Sequence, residues 1–287
     1  MGKKTVLRNL IERKKILVVP GAHDALSAKL AQDVGFEAAY MSGFGTSVSC
    51  FGLPDIGFLT MTEMVENVRR MANAVTIPLI ADADTGYGNH LNVVRTVEEY
   101  ERAGAAGVQI EDQVSPKRCG HMEGKTVIST EEMTVKIRAA VKARKDKDML
   151  IIVRTDAIAV LGFDEAIRRG NAYRDAGADI VFIEAPTTIE QLESIPKLVR
   201  NVPVLINVAP KTPYLPVNRY EEMGYAMAIY PPLSITTAYR AIREELTELK
   251  KEGMTKHGVH GGVSFDEFLD FLELDRFRNL EEEILKG

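Results

Sequence analysis

Short, unbroken apolar runs recur along the chain at a steady interval, and amphipathic stretches of helical spacing separate them. DVGFEAAYMS, AGAAGVQIED, AGADIVFIEA and MGYAMAIYP share one grammar. Each has a glycine suited to close a helix, then a short apolar run, then a polar or special residue. Runs that are continuous rather than alternating are what parallel strands covered on both faces require. Strand and helix repeating at this pace predict parallel βα units.

The count of such units is eight, with strands expected at 16–19, 38–41, 79–81, 108–110, 150–153, 180–183, 204–206 and 226–229. The first helix is expected from Asp24, a suitable N-cap. The others are expected near 62–74, 91–103, 130–144, 164–176, 189–199, 217–223 and 234–252, with a long loop before the helix at 62. Eight parallel units in 287 residues predict an α/β fold of the closed (β/α)8 barrel type. A doubly wound open sheet is the rival, but it carries a glycine-rich phosphate fingerprint after its first strand. Pro20-Gly21-Ala22-His23-Asp24 has none.

No linker or low-complexity segment divides the chain, so 1–287 reads as one barrel domain, with 253–287 a C-terminal helical extension. GMTKHGVHGGVSF is a glycine-punctuated connector, and FDEFLDFLELDRFRNLEEEILKG reads as one or two helices. Its apolar residues, among them Phe265, Phe268, Leu272, Phe277 and Ile284, want a partner beyond a complete barrel. The chain's own barrel and a neighbouring subunit are both open to that role.

Composition narrows the function. Hydrophobic residues at 45% and charged residues at 27% describe an ordinary globular chain. A net charge of -5 argues against a dedicated nucleic-acid binder. The two cysteines, Cys50 and Cys119, form no C-x-x-C pair and fit a reducing compartment. The charged N-terminus lacks a signal core and no apolar run reaches membrane-spanning length, so a cytoplasmic protein is expected.

In such barrels chemistry collects at the C-terminal strand ends. Reading those ends gives Ser42-Gly43, Asp82 and Asp84, Glu111, Arg154 and Asp156, Glu184, and Asn207. Asp82 and Asp84 sit two apart, so in an extended segment they point the same way, and Glu111 joins them from the next strand. Converging carboxylates need a compensating cation. Hard oxygen ligands at an open site suit Mg²⁺, and ion pairs with Arg118 and Arg154 are the alternative. There is no H-x-x-H or H-E-x-x-H for zinc and no G-x-S-x-G for a serine hydrolase. Cys50, in a Ser/Gly loop, reads as structural.

After the fourth strand Lys117, Arg118, Cys119, Gly120 and His121 follow one another directly. Cations crowding a thiol favour a proton carrier or nucleophile, and glycines at 120 and 124 mark a loop with hinges. Closing would carry Lys117 and Arg118 toward the acids and Cys119 toward a nascent carbanion. The set suits C–C cleavage of a 2-oxo or 2-hydroxy acid, with Cys119 giving the proton.

KRCGH, with IEDQ before it, is similar to the signature loop of the isocitrate lyase / phosphoenolpyruvate mutase superfamily. VVPGAHDALSAKLA, YMSGFG, GLPDIGFLT, DADTGYGN and RTDA resemble its short bacterial branch, over about 20–252. The CGH loop implies the lyases, which split a substituted malate into a 2-oxo acid and a carboxylic acid. The overall likeness is to the 2-methylisocitrate lyases, which yield pyruvate and succinate. The resemblance implies Mg²⁺ (Mn²⁺ as a substitute) and a homotetramer that exchanges C-terminal helices. It implies a metal shell of Asp55, Asp82, Asp84 and Glu111, with Tyr40 as base for the substrate hydroxyl. Ser42, Gly43 and Phe44 would hold the oxo-acid carboxylate, and Arg154, Glu184 and Asn207 would contact substrate. Lys117, Arg118 and Gly120 would close on the substrate beside Cys119 and His121. Two positions depart from the pattern: Phe44 replaces a usual glycine, and Ala209 replaces a hydroxyl residue in the loop that receives the distal end of the substrate. 2,3-Dimethylmalate is therefore a rival substrate. A phosphonate mutase with no need of Cys119 is the reading of a different class.

Overall fold

The structure, a computed structural model, describes residues 1–120 and 122–286. Its first half runs α1 (Lys3–Glu12), β1 (Leu17–Ala22), α2 (Ala25–Asp33), β2 (Ala39–Met41), α3 (Gly43–Phe51), α4 (Met61–Ala74), β3 (Leu79–Asp82), α5 (His90–Ala103) and β4 (Gly107–Glu111). It continues α6 (Thr130–Ala143), β5 (Leu150–Thr155), α7 (Ala157–Leu161), α8 (Phe163–Asp175), β6 (Ile180–Ile183), α9 (Ile189–Leu198), β7 (Val204–Asn207), α10 (Val217–Met223) and β8 (Met227–Tyr230). α11 (Leu233–Glu252), α12 (Phe265–Phe271) and α13 (Leu274–Lys286) complete it. The eight strands form a closed barrel in sequence order, and β8 pairs in parallel with β1. The chain divides into two compact units, Met1–Ile235 and Thr236–Gly287.

Strand alternation sorts the core. Leu17, Val19, Ile152 and Phe182 join one buried cluster, while Ile151, Val153, Val181 and Ile183 join another with the helices. The first cluster is the barrel interior, a packed core rather than a pore. Leu7 and Ile11 of α1 belong to it, so the N-terminal helix stoppers the floor. Lys3 fixes that helix by donating to the carbonyls of Ala72 and Val75, both at 2.6 Å. Each large side chain so buried contributes roughly 1.5–3 kcal/mol.

Helix starts follow local chemistry. Asp24 caps α2 and forms a capping box with Ser27, as its sequence position predicts. The expected long loop after β2 instead contains α3. Ser42 caps it by accepting from Gly45 N at 3.2 Å, and Thr46 and Ser47 are buried. Tertiary burial here overrides two glycines in the first turn. α1 and α7 were also not expected as helices. Cys50 is a surface residue rather than a structural one.

Within the second unit the tail forms two helices. Ser264 caps α12 by accepting from Glu267 N at 3.1 Å, and neither α12 nor α13 contains a buried residue. Among the described residues no helix is long and apolar enough to cross a membrane.

Candidate active site

The acids converge, though not by strand alternation. β3 ends at Asp82, and Asp84 is a non-glycine residue at φ 47. That left-handed turn is held by Glu111 N, which donates to Asp84 O at 2.9 Å. It brings Asp84 back toward Asp82: a Cβ on Gly43 would lie 2.8 Å from Asp82 Oδ2 and 3.5 Å from Asp84 Oδ1. Lys117 enters this cluster, with its ammonium 2.5 Å from Asp55 Oδ1 and 2.9 Å from Asp84 Oδ1. The pairing with Asp84 is an ion pair without an aligned hydrogen bond. Burial raises the Asp84 pKa from 3.8 to about 6; Lys117 opposes the shift, and Asp82 and Asp55 add to it. Burial likewise pushes Glu111 well above the usual carboxylate range, against the pull of Arg154.

The segment after β4 is an excursion pinned at its base. Gln113 bridges Val127, and Val114 N donates to Thr126 O at 2.9 Å. The Gln113 side chain also clamps Arg118, donating to its carbonyl at 2.8 Å and accepting from its N–H at 2.9 Å. Cys119 N donates to Asp55 O at 3.1 Å. Both cations that flank Cys119 in sequence are therefore committed elsewhere: Lys117 to Asp55 and Asp84, and Arg118, which is exposed, to the carbonyl of Glu123 at 3.2 Å. Arg118, expected on substrate, is not brought to the acids. His121 lies outside the described residues.

Gly120 is needed for its small size. A Cβ there would sit 2.3 Å from Arg154 Nη2 and 2.9 Å from Glu184 Cδ, so bare backbone packs against both. Arg154 is the hub. Asp156 holds it in a fork, accepting from Nε and Nη2 at 2.9 Å each. Its Nη1 lies 3.3 Å from Glu111 Oε2 and 3.4 Å from Glu184 Oε2. Asn207 donates to Glu184 Oε2 at 3.0 Å, which leaves its own Oδ1 buried without a hydrogen-bond partner.

Tyr40 is buried and donates to Gln109 Oε1 at 3.0 Å. Burial first, then Asp82, raise its pKa well above the ordinary tyrosine value, so it holds its proton in this arrangement. Gln109 faces Asp82 Oδ1 at 3.5 Å, and Gly43 N donates to Asp82 Oδ2 at 3.2 Å. Ser42 and Gly43 are buried and Phe44 is half-buried at the N-terminus of α3, a setting that favours a carboxylate. Gln109 escaped sequence reasoning, although one amide within the apolar run of β4 was a signal. So did Lys125, which donates to the Gly120 carbonyl.

The four expected metal carboxylates form no closed cage. Among the described residues no three His, Cys, Asp or Glu side chains group to hold an ion. They nevertheless fit a hard cation that keeps most of its own water, as Mg²⁺ does. Asp84 Oδ1 and Glu111 Oε1 are buried without a hydrogen-bond partner, and burial pushes both acids toward neutrality despite Lys117 and Arg154 nearby.

Comparison with known proteins finds similarity along most of the chain. The family model described as phosphoenolpyruvate phosphomutase matches residues 7–250. The chain is 45% identical to a 2,3-dimethylmalate lyase of Eubacterium barkeri, over 100% of both chains. It is 42% identical to a 2-methylisocitrate lyase of Aeropyrum pernix, over 97% of this chain and 90% of that one. A solved phosphonopyruvate hydrolase in complex with oxalate and Mg²⁺ superposes with a TM-score of 0.90 at 34% identity, covering 99% of this chain and 100% of that one.

Proposed function

The chain belongs to the phosphoenolpyruvate mutase / isocitrate lyase superfamily, and from that premise we propose a Mg²⁺-dependent carbon–carbon lyase that cleaves 2,3-dimethylmalate in preference to 2-methylisocitrate. The observation that carries the reading is a buried acid cluster facing Arg154, covered by the Gly120 backbone next to Cys119.

Cleavage of 2,3-dimethylmalate breaks the C2–C3 bond. The C2 hydroxyl loses its proton and becomes the carbonyl of pyruvate, while the electron pair stays on C3. A proton delivered to C3 completes propionate. Held by Asp82, Asp84 and Glu111, Mg²⁺ would supply Lewis acidity toward the substrate's carboxylate and hydroxyl. The α3 N-terminus at Ser42, Gly43 and Phe44 seats the carboxylate of the pyruvate half. Tyr40 meets the C2 hydroxyl as candidate base. The proton it holds at rest must be drawn off by positive charge, and Arg154 already acts in that direction. Arg154, Glu184 and Asn207 orient the C3 half, and Cys119 delivers the proton to C3. Docked backbone at Cys119 and Gly120 excludes water while the carbanion exists.

The two candidate substrates share the pyruvate half and differ in the C3 substituent, a methyl against a carboxymethyl group. A further carboxylate needs a cation or hydroxyl of its own. The loop after Asn207 places Val208, Ala209 and Pro210 next to the asparagine. Lys211 and the buried Thr212, whose Oγ1 has no hydrogen-bond partner, follow only afterwards. The position two past Asn207 therefore offers no hydroxyl, and Lys117 and Arg154 already face carboxylates. A methyl makes no such demand.

The test is pyruvate formation with Mg²⁺ from each acid. The expected preference in kcat/KM is at least about ten-fold for 2,3-dimethylmalate, within what one pocket difference can give. No pyruvate from either acid would overturn the lyase reading, and a preference for 2-methylisocitrate would overturn the substrate choice. Cys119→Ser should lower kcat by roughly two to four orders of magnitude with little change in KM. Retention of more than about a tenth of kcat would move the proton donor elsewhere.

The tail extends the reading to assembly. Phe265, Phe277 and Ile284 are exposed on α12 and α13, and this supports a homotetramer in which these helices cover a second copy. A monomer by sedimentation at micromolar concentration would rule that out.

A further inference from the structure

Lys125 has no part in the mechanism above, yet only 2% of its side chain is exposed. A buried ammonium must be compensated. It donates to the Gly120 carbonyl and lies 3.6 Å from Asp156 Oδ1. That same oxygen accepts from Arg154 Nη2 at 2.9 Å, and Asp156 Oδ2 accepts from Nε at 2.9 Å. Asp156 is itself fixed, since its N–H donates to Asp112 Oδ1 at 2.9 Å. The arm that carries Lys125 is anchored as well, through Thr126 O to Val114 N and through the Val127 bridge to Gln113.

We propose that Lys125 is a positioning residue that locks the Gly120 backbone and the Arg154 guanidinium into one arrangement through Asp156. Its ammonium spans two groups that must agree. One is the segment next to the candidate proton donor, and the other is the carboxylate that aims Arg154. Gly120 packs so close to Arg154 that neither can shift without the other. Without the ammonium, the Gly120 carbonyl loses its donor and Asp156 Oδ1 keeps one cation instead of two. Both changes loosen the docked segment where a displacement of about 1 Å can cost on the order of 100-fold in rate. The inference rests on the lyase reading for its kinetic arm alone.

The test compares Lys125→Met and Lys125→Arg with the wild type by two readouts. One is kcat and KM for 2,3-dimethylmalate with Mg²⁺. The other is the rate of tryptic cleavage after Arg118, followed by mass spectrometry without substrate, with Tm as control. Lys125→Met should lose about 100-fold in kcat, hold KM within a few-fold and be cut at least about ten-fold faster at unchanged Tm. Lys125→Arg, which keeps the charge, should recover most of the protection and at least about ten-fold of the lost kcat. A Met variant with near wild-type kcat or an unchanged cleavage rate would overturn the proposal. So would equal defects in both variants that track a fall in Tm. If the Met variant does not fold, the Arg variant decides, and a segment cut as fast as an unfolded control refutes the lock. A wild type with no lyase activity would sink the functional reading and leave the proteolysis arm to judge Lys125.

Discussion

Glu111 and Asp112 are neighbours at the end of β4, equally buried, and opposite in character. Glu111 faces the barrel mouth, where Arg154 at 3.3 Å is shared with two other acids and Oε1 has no hydrogen-bond partner. Asp112 faces the helical shell and is surrounded by donors: Thr155 Oγ1 at 2.6 Å, Tyr173 OH at 2.7 Å, Asp156 N at 2.9 Å and Arg169 Nη1 at 3.0 Å. Burial pushes both carboxyls up, but the hydrogen bonds at Asp112 pull back while Glu111 has chiefly Arg154. One backbone step thus separates a carboxylate whose pairing is complete from one whose pairing is not, the mark of a candidate functional acid. Deficient pairing, rather than burial or charge, is what sets Glu111 apart from Asp112.

The contrast can be broken most severely at Glu111. Glu111→Gln should lower kcat by about 100- to 1000-fold, the usual loss on removing one group that stabilises developing charge. It should leave Tm unchanged or raised, because burial disfavours the ionised form that Gln removes; a large fall in Tm would erase the distinction. Next in size is Asp112→Asn. It strands Arg169 with Glu165 as its remaining acidic partner, and should cost about 3 kcal/mol in urea unfolding. A variant within about 0.5 kcal/mol of wild type would show that the donors around Asp112 contribute little. The smallest effect sharpens the comparison through pH. The folded pKa of Asp84, about 6, lies above the ordinary 3.8, so the folded state holds the extra proton between those values. In chelator, stability conferred by this group is full below pH 3.8 and is lost as pH rises through about 6. The slope is at most about 1.4 kcal/mol per pH unit. The difference between wild type and Asp84→Asn across that window should follow it, and Mg²⁺ should flatten it by competing with the proton.

Much of this was legible in the sequence. The apolar runs placed eight strands within a few residues, because strands covered on both faces leave a signal that turn residues punctuate. Asp82, Asp84 and Glu111 stood out as carboxylates just where apolar runs stop. α3 was hidden because Gly43 and Gly45 speak for a loop. They are glycines because Asp82 and His23 approach within 2.8 and 3.0 Å of where a Cβ would stand, which only the fold reveals. The different placements of Lys117 and Arg118 were hidden for a related reason. Adjacent residues in a loop share no face, so one head group reaches the acids and the other turns to solvent. Lys125 and Asp156 are far apart in sequence, and no local pattern announces a pair that a barrel end brings together.

The helix that stoppers the barrel floor has a kinetic consequence. With Leu7 and Ile11 packed into the interior cluster, the barrel floor is closed, and the proposed site is reached from the C-terminal strand ends. Substrate enters where both products must leave, and two products cannot pass one opening at once. Release is therefore sequential, and the fragment nearer the mouth departs first. Pyruvate, which the proposed function seats at the α3 N-terminus, would leave last. Product inhibition should carry that order: pyruvate competes with substrate for the emptied enzyme, and propionate does not.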